Sequence, residues 1–101
     1  MRIGEIIGKV TLSRCHPSLS GATLRLVVPL TADGLQAVHT ETGDRTTGRG
    51  EPLVCWDDLS AGNGSIIAFT ESAEASAPFH PEQKPINAYN AAILDQLHLQ
   101  P

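Results

Sequence analysis

The chain has 101 residues, a net charge of −4 and 41% hydrophobic residues. That length fits one domain, residues 1–101, burying roughly 60–70% of its unfolded surface around one modest core. The seven Lys and Arg residues are scattered and only four residues are aromatic. This argues against nucleic acid, whose binders need a basic patch and exposed stacking rings. No apolar run approaches the ~20 residues of a membrane span. Met1-Arg2-Ile3-Gly4-Glu5 does not read as a secretory leader. A cytoplasmic, reducing location is expected, with Cys15 and Cys55 as free thiols.

In chain order, residues 1–12 carry Ile3, Ile6, Ile7, Val10 and Leu12, and their β-branched content predicts a first strand. Gly8 suits a bend or bulge. Residues 13–22 form a loop in which Pro17 fixes φ and Gly21 is free to take positive φ. Leu24, Leu26 and Val28 alternate into a second strand that ends or lies at an edge at Pro29. Residues 31–50 are polar, rich in Thr and Gly, and read as a hairpin or a loose insertion.

Residues 53–56, Leu-Val-Cys-Trp, form a third strand, residues 60–65 a turn, and residues 66–70 a fourth strand. Residues 71–77 allow one short helical turn ending before Pro78. The tail, residues 86–97, supports either a helix or a strand on propensity alone. There is no internal repeat. Short strands separated by Gly/Pro turns predict a small barrel or sandwich, and a five-stranded OB-type barrel fits the count.

The candidate chemical sites have simpler readings. Cys15-His16 are adjacent in an extended loop, so they point apart and share no metal without further ligands. His16, His39, His80 and His98 lack metal-ligand spacing. Asp57-Asp58 read as turn caps that accept backbone N–H groups rather than as a catalytic acid pair. Gly62-Asn63-Gly64-Ser65 has neither the Lys nor the following helix of a phosphate loop. Trp56 reads as a core or interface anchor. No catalytic set, metal site or cofactor is expected. The rival to a structural role is an OB-fold module binding single-stranded nucleic acid or an oligosaccharide.

Several segments resemble a known family. His16-Pro17-Ser18-Leu19-Ser20-Gly21 followed by Thr23-Leu24-Arg25-Leu26-Val27-Val28-Pro29-Leu30 is similar to the first loop and second strand of the bacterial microcompartment vertex proteins, the EutN/CcmL type. Asp58-Leu59-Ser60-Ala61-Gly62-Asn63-Gly64 resembles that family's D-x-[small]-A-G-x-G loop. Pro85-Ile86-Asn87-Ala88 leading to Ala92-Ile93-Leu94-Asp95 resembles its late segment, and residues 1–8 resemble its opening. These matches follow the family's order and span most of the chain. Two departures stand out. Residues 71–76 lack the family's glycine and arginine, and Ile66 stands where an aromatic is usual.

The resemblance implies an all-β, OB-like barrel with a short helical turn, the tail being its last strand. It implies a non-catalytic structural protein that assembles with itself as a cyclic homopentamer at the vertices of a bacterial microcompartment shell in the cytoplasm. Hexameric and trimeric shell proteins form the facets around it. It places Ser60, Ala61, Gly62, Asn63 and Gly64 around the five-fold axis, and His16, Pro17, Ser18, Leu19 and Gly21 near the subunit interface.

Overall fold

Five strands make up the framework of the computed structural model, which describes residues 1–40, 48–82 and 84–96. They are β1 (Arg2–Val10), β2 (Leu24–Pro29), β3 (Leu53–Trp56), β4 (Ile66–Glu71) and β5 (Ala88–Ile93). They close into a barrel in the order β1-β2-β3-β5-β4. Every neighbouring pair is antiparallel except β3 and β5, which run parallel with Trp56 opposite Tyr89. This is the five-stranded OB-type barrel expected from the spacing of strands and turns. Closure leaves no free sheet edge, so the barrel offers no template for open-ended strand addition.

The two-residue period of a strand sets the core. Ile6, Val27, Cys55, Ile67, Phe69 and Ala88 are fully buried and cluster together with Ala61, with Leu53 packed against them. Gly4 also has its Cα hydrogens turned inward. A Cβ there would come within 2.7 Å of Val27 Cγ2 and of the Val28 carbonyl, and within 3.0 Å of the Phe69 ring. The missing side chain lets β1 close onto β2. The register steps from Ile6 opposite Val27 to Gly8 opposite Leu26. This bulge, expected near Gly8, leaves Ile7 unpaired and 41% exposed.

The stretch 31–50, expected as a hairpin or a loose insertion, is helical in its first part, α1 (Ala32–Thr40). Leu35 and Val38 lie three apart, on one face of a helix. Asp33 stands in the first turn, where a negative charge suits the helix dipole. The excursion closes on itself. Thr31 N–H donates to Gly48 O at 2.8 Å and Gly50 N–H to Pro29 O at 2.9 Å, and Leu30 bridges to Arg49. Gly34 and Gly48 pass so closely that a Cβ on either would run into the other's backbone. Arg49 reaches back to β1, its guanidinium donating to Glu5 Oε1 at 2.7 Å with both side chains largely buried. The rest of the expected insertion, residues 41–47, lies outside the described residues.

Two 3-10 stretches complete the chain, Pro17–Leu19 and Ser72–Phe79. The second was expected to stop before Pro78 but runs through it. Ala75 is fully buried on the barrel, and Phe79 wedges edge-on against Trp56 and Tyr89, with ring centroids 4.7 and 5.5 Å away. That docking holds the last turn although proline supplies no N–H. The tail is a strand over Ala88–Ile93, shorter than the 86–97 expected, and Leu97 lies outside the described residues. No helix among the described residues is long and apolar enough to cross a membrane.

Candidate assembly loops and groove

The 60–64 loop is built on one carboxylate. Asp57 is 1% exposed at the end of β3. Its Oδ1 accepts from Leu59 N–H at 3.0 Å and from Asn90 Nδ2 at 2.9 Å, and its Oδ2 accepts from Ala61 N–H at 2.8 Å. Arg25 Nε lies 3.5 Å from the same Oδ2 as an ion pair. The two oxygens straddle Ser60, which holds a left-handed backbone at φ 61. That conformation costs about 1–2 kcal/mol for a residue with a Cβ, and the flanking hydrogen bonds hold it in place. The cap reading of Asp57-Asp58 is therefore right for Asp57. Asp58 differs: its Oδ1 accepts from the Trp56 indole at 2.8 Å, and its Oδ2 from Tyr89 OH at 3.4 Å.

From Ser60 the loop turns outward. Ser60, Gly62, Asn63 and Gly64 are exposed, whereas the Ala61 side chain is 1% exposed and belongs to the barrel core. Ala61 thus anchors the loop to the barrel core. Gly64 has φ +89, a conformation that glycine adopts without strain. Its N–H donates to Ile6 O at 2.8 Å, and Ile6 N–H donates to Ser65 O at 2.9 Å, so the loop is laced to β1. Gly62 differs from Gly64: a Cβ there meets nothing within 4 Å and its φ is not left-handed.

The 16–21 loop is a separate structure. Ser18 N–H and its hydroxyl both approach His16 Nδ1, at 3.1 and 2.7 Å. Leu19 N–H donates to His16 O and Ser20 N–H to Pro17 O. His16, Pro17 and Gly21 are exposed, Ser18 and Leu19 half-buried. No hydrogen bond or ion pair among the described residues joins this loop to residues 60–64.

One lysine that the sequence reading passed over ties the 16–21 loop to the barrel. Lys84 Nζ donates to Ser18 O at 2.8 Å and pairs with Glu82 at 3.2 Å. It also sits 5.6 Å from the Trp56 ring centre and 5.5 Å from that of Phe79, within cation–π range. Burial, and then the nearby Asp58 carboxylate, push the Tyr89 phenol above its usual pKa. Beside this cluster, the outer faces of β2 and β3 form an apolar groove of about 310 Å³ whose lining includes Leu12, Leu19, Leu24, Val54, Trp56 and Ile86. Leu12 and Val54 are each 42% exposed within it. Of this groove, sequence reasoning singles out Leu19 and Trp56 as interface candidates; the lining as a whole is brought together from residues 12–24, 53–56 and 85–87.

Cys15 is exposed and Cys55 buried. Burial, reinforced by Asp57, pushes the Cys55 thiol up to about 12, so it stays protonated and unreactive. Among the described residues no group of three or more His, Cys, Asp or Glu side chains is placed to hold a metal.

Comparison with known proteins places this geometry. The family model described as ethanolamine utilisation protein EutN/carboxysome matches residues 1–95. The pentameric microcompartment shell protein GrpN from Rhodospirillum rubrum is 27% identical, with all of both chains covered and a TM-score of 0.73. CcmL from Nostoc sp. PCC 7120 is 24% identical over 97% of this chain and 93% of its own, with a TM-score of 0.75. EutN from Escherichia coli is 17% identical over 98% and 89%, with a TM-score of 0.73. No curated protein matches the sequence.

Proposed function

Since the chain belongs to the EutN/CcmL family, we propose that five copies assemble into a cyclic ring that closes the vertices of a bacterial microcompartment shell. The family match over residues 1–95 carries this reading, and the full-length likeness to a shell protein described as pentameric supports it. The role is structural and non-catalytic, the location the shell of a cytoplasmic microcompartment. The facet partners are hexameric and trimeric shell proteins. Nucleic acid has no part in it, and the rival OB-fold binding module finds no support in the charge or the aromatics.

A head-to-tail interface that rotates by 72° per subunit closes into a five-membered ring, because the rotation returns to its start. In this reading residues 60–64 gather around the five-fold axis and residues 16–21 flank the contact between neighbours. Gly62 supports that placement. It is exposed, with open space around it in its own subunit, and a position without a Cβ lets backbones of neighbouring copies approach closely.

Native mass spectrometry of the purified protein tests the proposal. The expected result is a dominant species at five times the 10.7 kDa chain mass. A stable monomer overturns it, and a six-fold species removes the vertex role. Gly62→Val tests the axis. The variant should fold as the wild type does, since its Cβ has open space, yet lose the ring or fail to close shells when co-expressed with facet proteins. Normal assembly would remove residues 60–64 from the axis.

A further inference from the structure

The barrel is closed unevenly. β4 and β5 pair from Ile67 to Glu71, whereas β3 and β5 share a single register pair, Trp56 opposite Tyr89. Asp57 N–H donates to Thr23 O, in register with Arg25 opposite Cys55. Backbone groups alternate sides along a strand, so Leu53, Cys55 and Asp57 bond to β2, while Val54 and Trp56 aim their N–H and C=O away from it. Trp56 meets β5 there. Val54 instead faces residues 85–87, where the chain is already committed: Ile86 N–H donates to Lys84 O, and Asn87 O accepts from Ser72 N–H. No carbonyl of residues 84–87 takes the Val54 N–H. The groove described above opens over this seam, with Leu53, Val54 and Trp56 on one bank and Pro85, Ile86 and Asn87 on the other.

The chemistry of the seam selects its guest. A helix spends its carbonyls internally and would leave the Val54 N–H unpaired. At about 310 Å³ the groove stands at the lower end of the ~300–1,000 Å³ of binding pockets, small for a helix about 10 Å across. An extended segment has free carbonyls and sends alternate side chains to one face. The exposed Asn87 amide, without a hydrogen-bond partner among the described residues, offers a second polar contact. Lys9 lines a recess of about 250 Å³ that shares Leu12, Leu19 and Leu24 with the groove. It has no ion-pair partner among the described residues. Two carboxylates on the far side are engaged, Asp58 by Trp56 and Tyr89 and Glu82 by Lys84. A guest carboxylate at the Lys9 end is therefore complementary. Lys84 also holds Ser18 O at 2.8 Å, which fixes the wall carrying Leu19 and lowers the ordering cost of binding.

We infer that the seam between Val54 and residues 85–87 takes an extended segment of another protein, laid beside β3, with alternate apolar side chains in the groove and an acidic residue at the Lys9 end. A carbonyl of the segment accepts from Val54 N–H. The protein's own chain lies on both sides, so one short segment fills the slot and the sheet grows no further. The slot belongs to the single subunit and does not depend on the ring proposed above.

The probe is a short peptide alternating Val and Thr and ending in Asp, with fluorescein at its N-terminus, titrated with the 101-residue chain and followed by fluorescence anisotropy. Saturable binding with a Kd below about 1 mM is expected. Val54→Pro deletes the N–H that points away from β2 and leaves the β2 ladder its hydrogen bonds; it should weaken binding at least about tenfold. Where that variant does not fold, Leu12→Asp, at a site 42% exposed, takes its place with the same expectation. Lys9→Glu should weaken binding roughly threefold and make the same peptide ending in Lys the tighter ligand. No binding to the wild type, or binding that Val54→Pro or Lys9→Glu leaves unchanged, overturns the inference. Native mass spectrometry of the same samples keeps the ring separate. Peptide carried by an intact pentamer supports the slot, whereas peptide that breaks the pentamer apart shows that a neighbouring copy fills the groove and overturns it. Binding that appears only after residues 97–101 are deleted assigns the slot to the chain's own tail, and overturns it too. A monomeric wild type that still binds the peptide overturns the ring and leaves the slot standing.

Discussion

Asp57 is the residue on which most of the loop geometry depends. Its carboxylate is buried and satisfies Leu59 N–H, Ala61 N–H and the Asn90 amide together. Removing one member of such a set strands the others, including the Arg25 guanidinium at 3.5 Å. Asp57→Ala is expected to cost about 3 kcal/mol, read as a lower urea midpoint at matched protein concentration. Asp57→Asn should recover little, since it turns an amide N–H₂ towards groups that are already donors. A wild-type midpoint in the alanine variant would show that the loop holds itself.

Cys55 makes the second residue-scale prediction. Its folded thiol titrates near 12 against an ordinary value of 9.0. Above pH 9 the unfolded chain releases this proton while the folded chain keeps it, so stability falls as pH rises through that window, by about 1.4 kcal/mol per pH unit from this group. The expected observation is a steeper alkaline loss in wild type than in Cys55→Ala between pH 9 and 11; equal slopes would contradict it. At this scale the sequence was legible where the chemistry is local. An aspartate ahead of a small, glycine-rich stretch reads as a turn cap without a structure. Its bond to Asn90 spans 33 positions, and no spacing rule reports a contact made only when β3 and β5 lie side by side.

At the scale of elements, β1 to β4 were legible as short apolar or β-branched runs bounded by turn residues, whereas β5 was open between helix and strand on propensity and was read as a strand only through the family resemblance. The helix α1 was obscured by composition. Gly34 lowers helix propensity and the threonines after it suggest a loop, so the Leu35–Val38 pair and Asp33 in the first turn went unweighted. The Gly34–Gly48 approach explains why the helix nevertheless carries a glycine. The 3-10 stretch shows the converse: Pro78 marks a stop, but the aromatic docking of Phe79 overrides it.

That docking makes a prediction of its own. Phe79 joins Trp56, Tyr89 and Lys84 into one cluster, and Trp56 is the only tryptophan in the chain. Phe79→Ala should cost roughly 2 kcal/mol, below the 3–5 of a fully buried Phe because this ring is half-exposed. It should also move Trp56 emission towards the water-exposed value and free the last turn of the Ser72–Phe79 stretch. Unchanged emission would mean that Phe79 does not shield the indole.

At the scale of the whole molecule, the charge on the chain opposes the proposed ring. Each copy carries −4, so five carry −20. Two such charges at roughly 30 Å, the width of a domain of this size, repel by about 2 kcal/mol in salt-free water. A Debye length of about 30 Å at 0.01 M salt leaves roughly a third of that, and one of about 10 Å at 0.1 M leaves about a twentieth. Salt thus relieves about 0.7 kcal/mol per neighbouring pair. It also weakens any ion pair across the interfaces, but an exposed pair is worth only about 0.2–1 kcal/mol in total and loses part of that. Burial in the ring of exposed aliphatics such as Leu59 and Ile93 is nearly indifferent to salt in this range. Repulsion is therefore the larger salt-dependent quantity, and the sign follows. In analytical ultracentrifugation near the midpoint of dissociation, the pentamer fraction should rise between 0.01 and 0.1 M salt. A ring that instead falls apart over that interval would be held by ion pairs across its interfaces rather than by buried aliphatics.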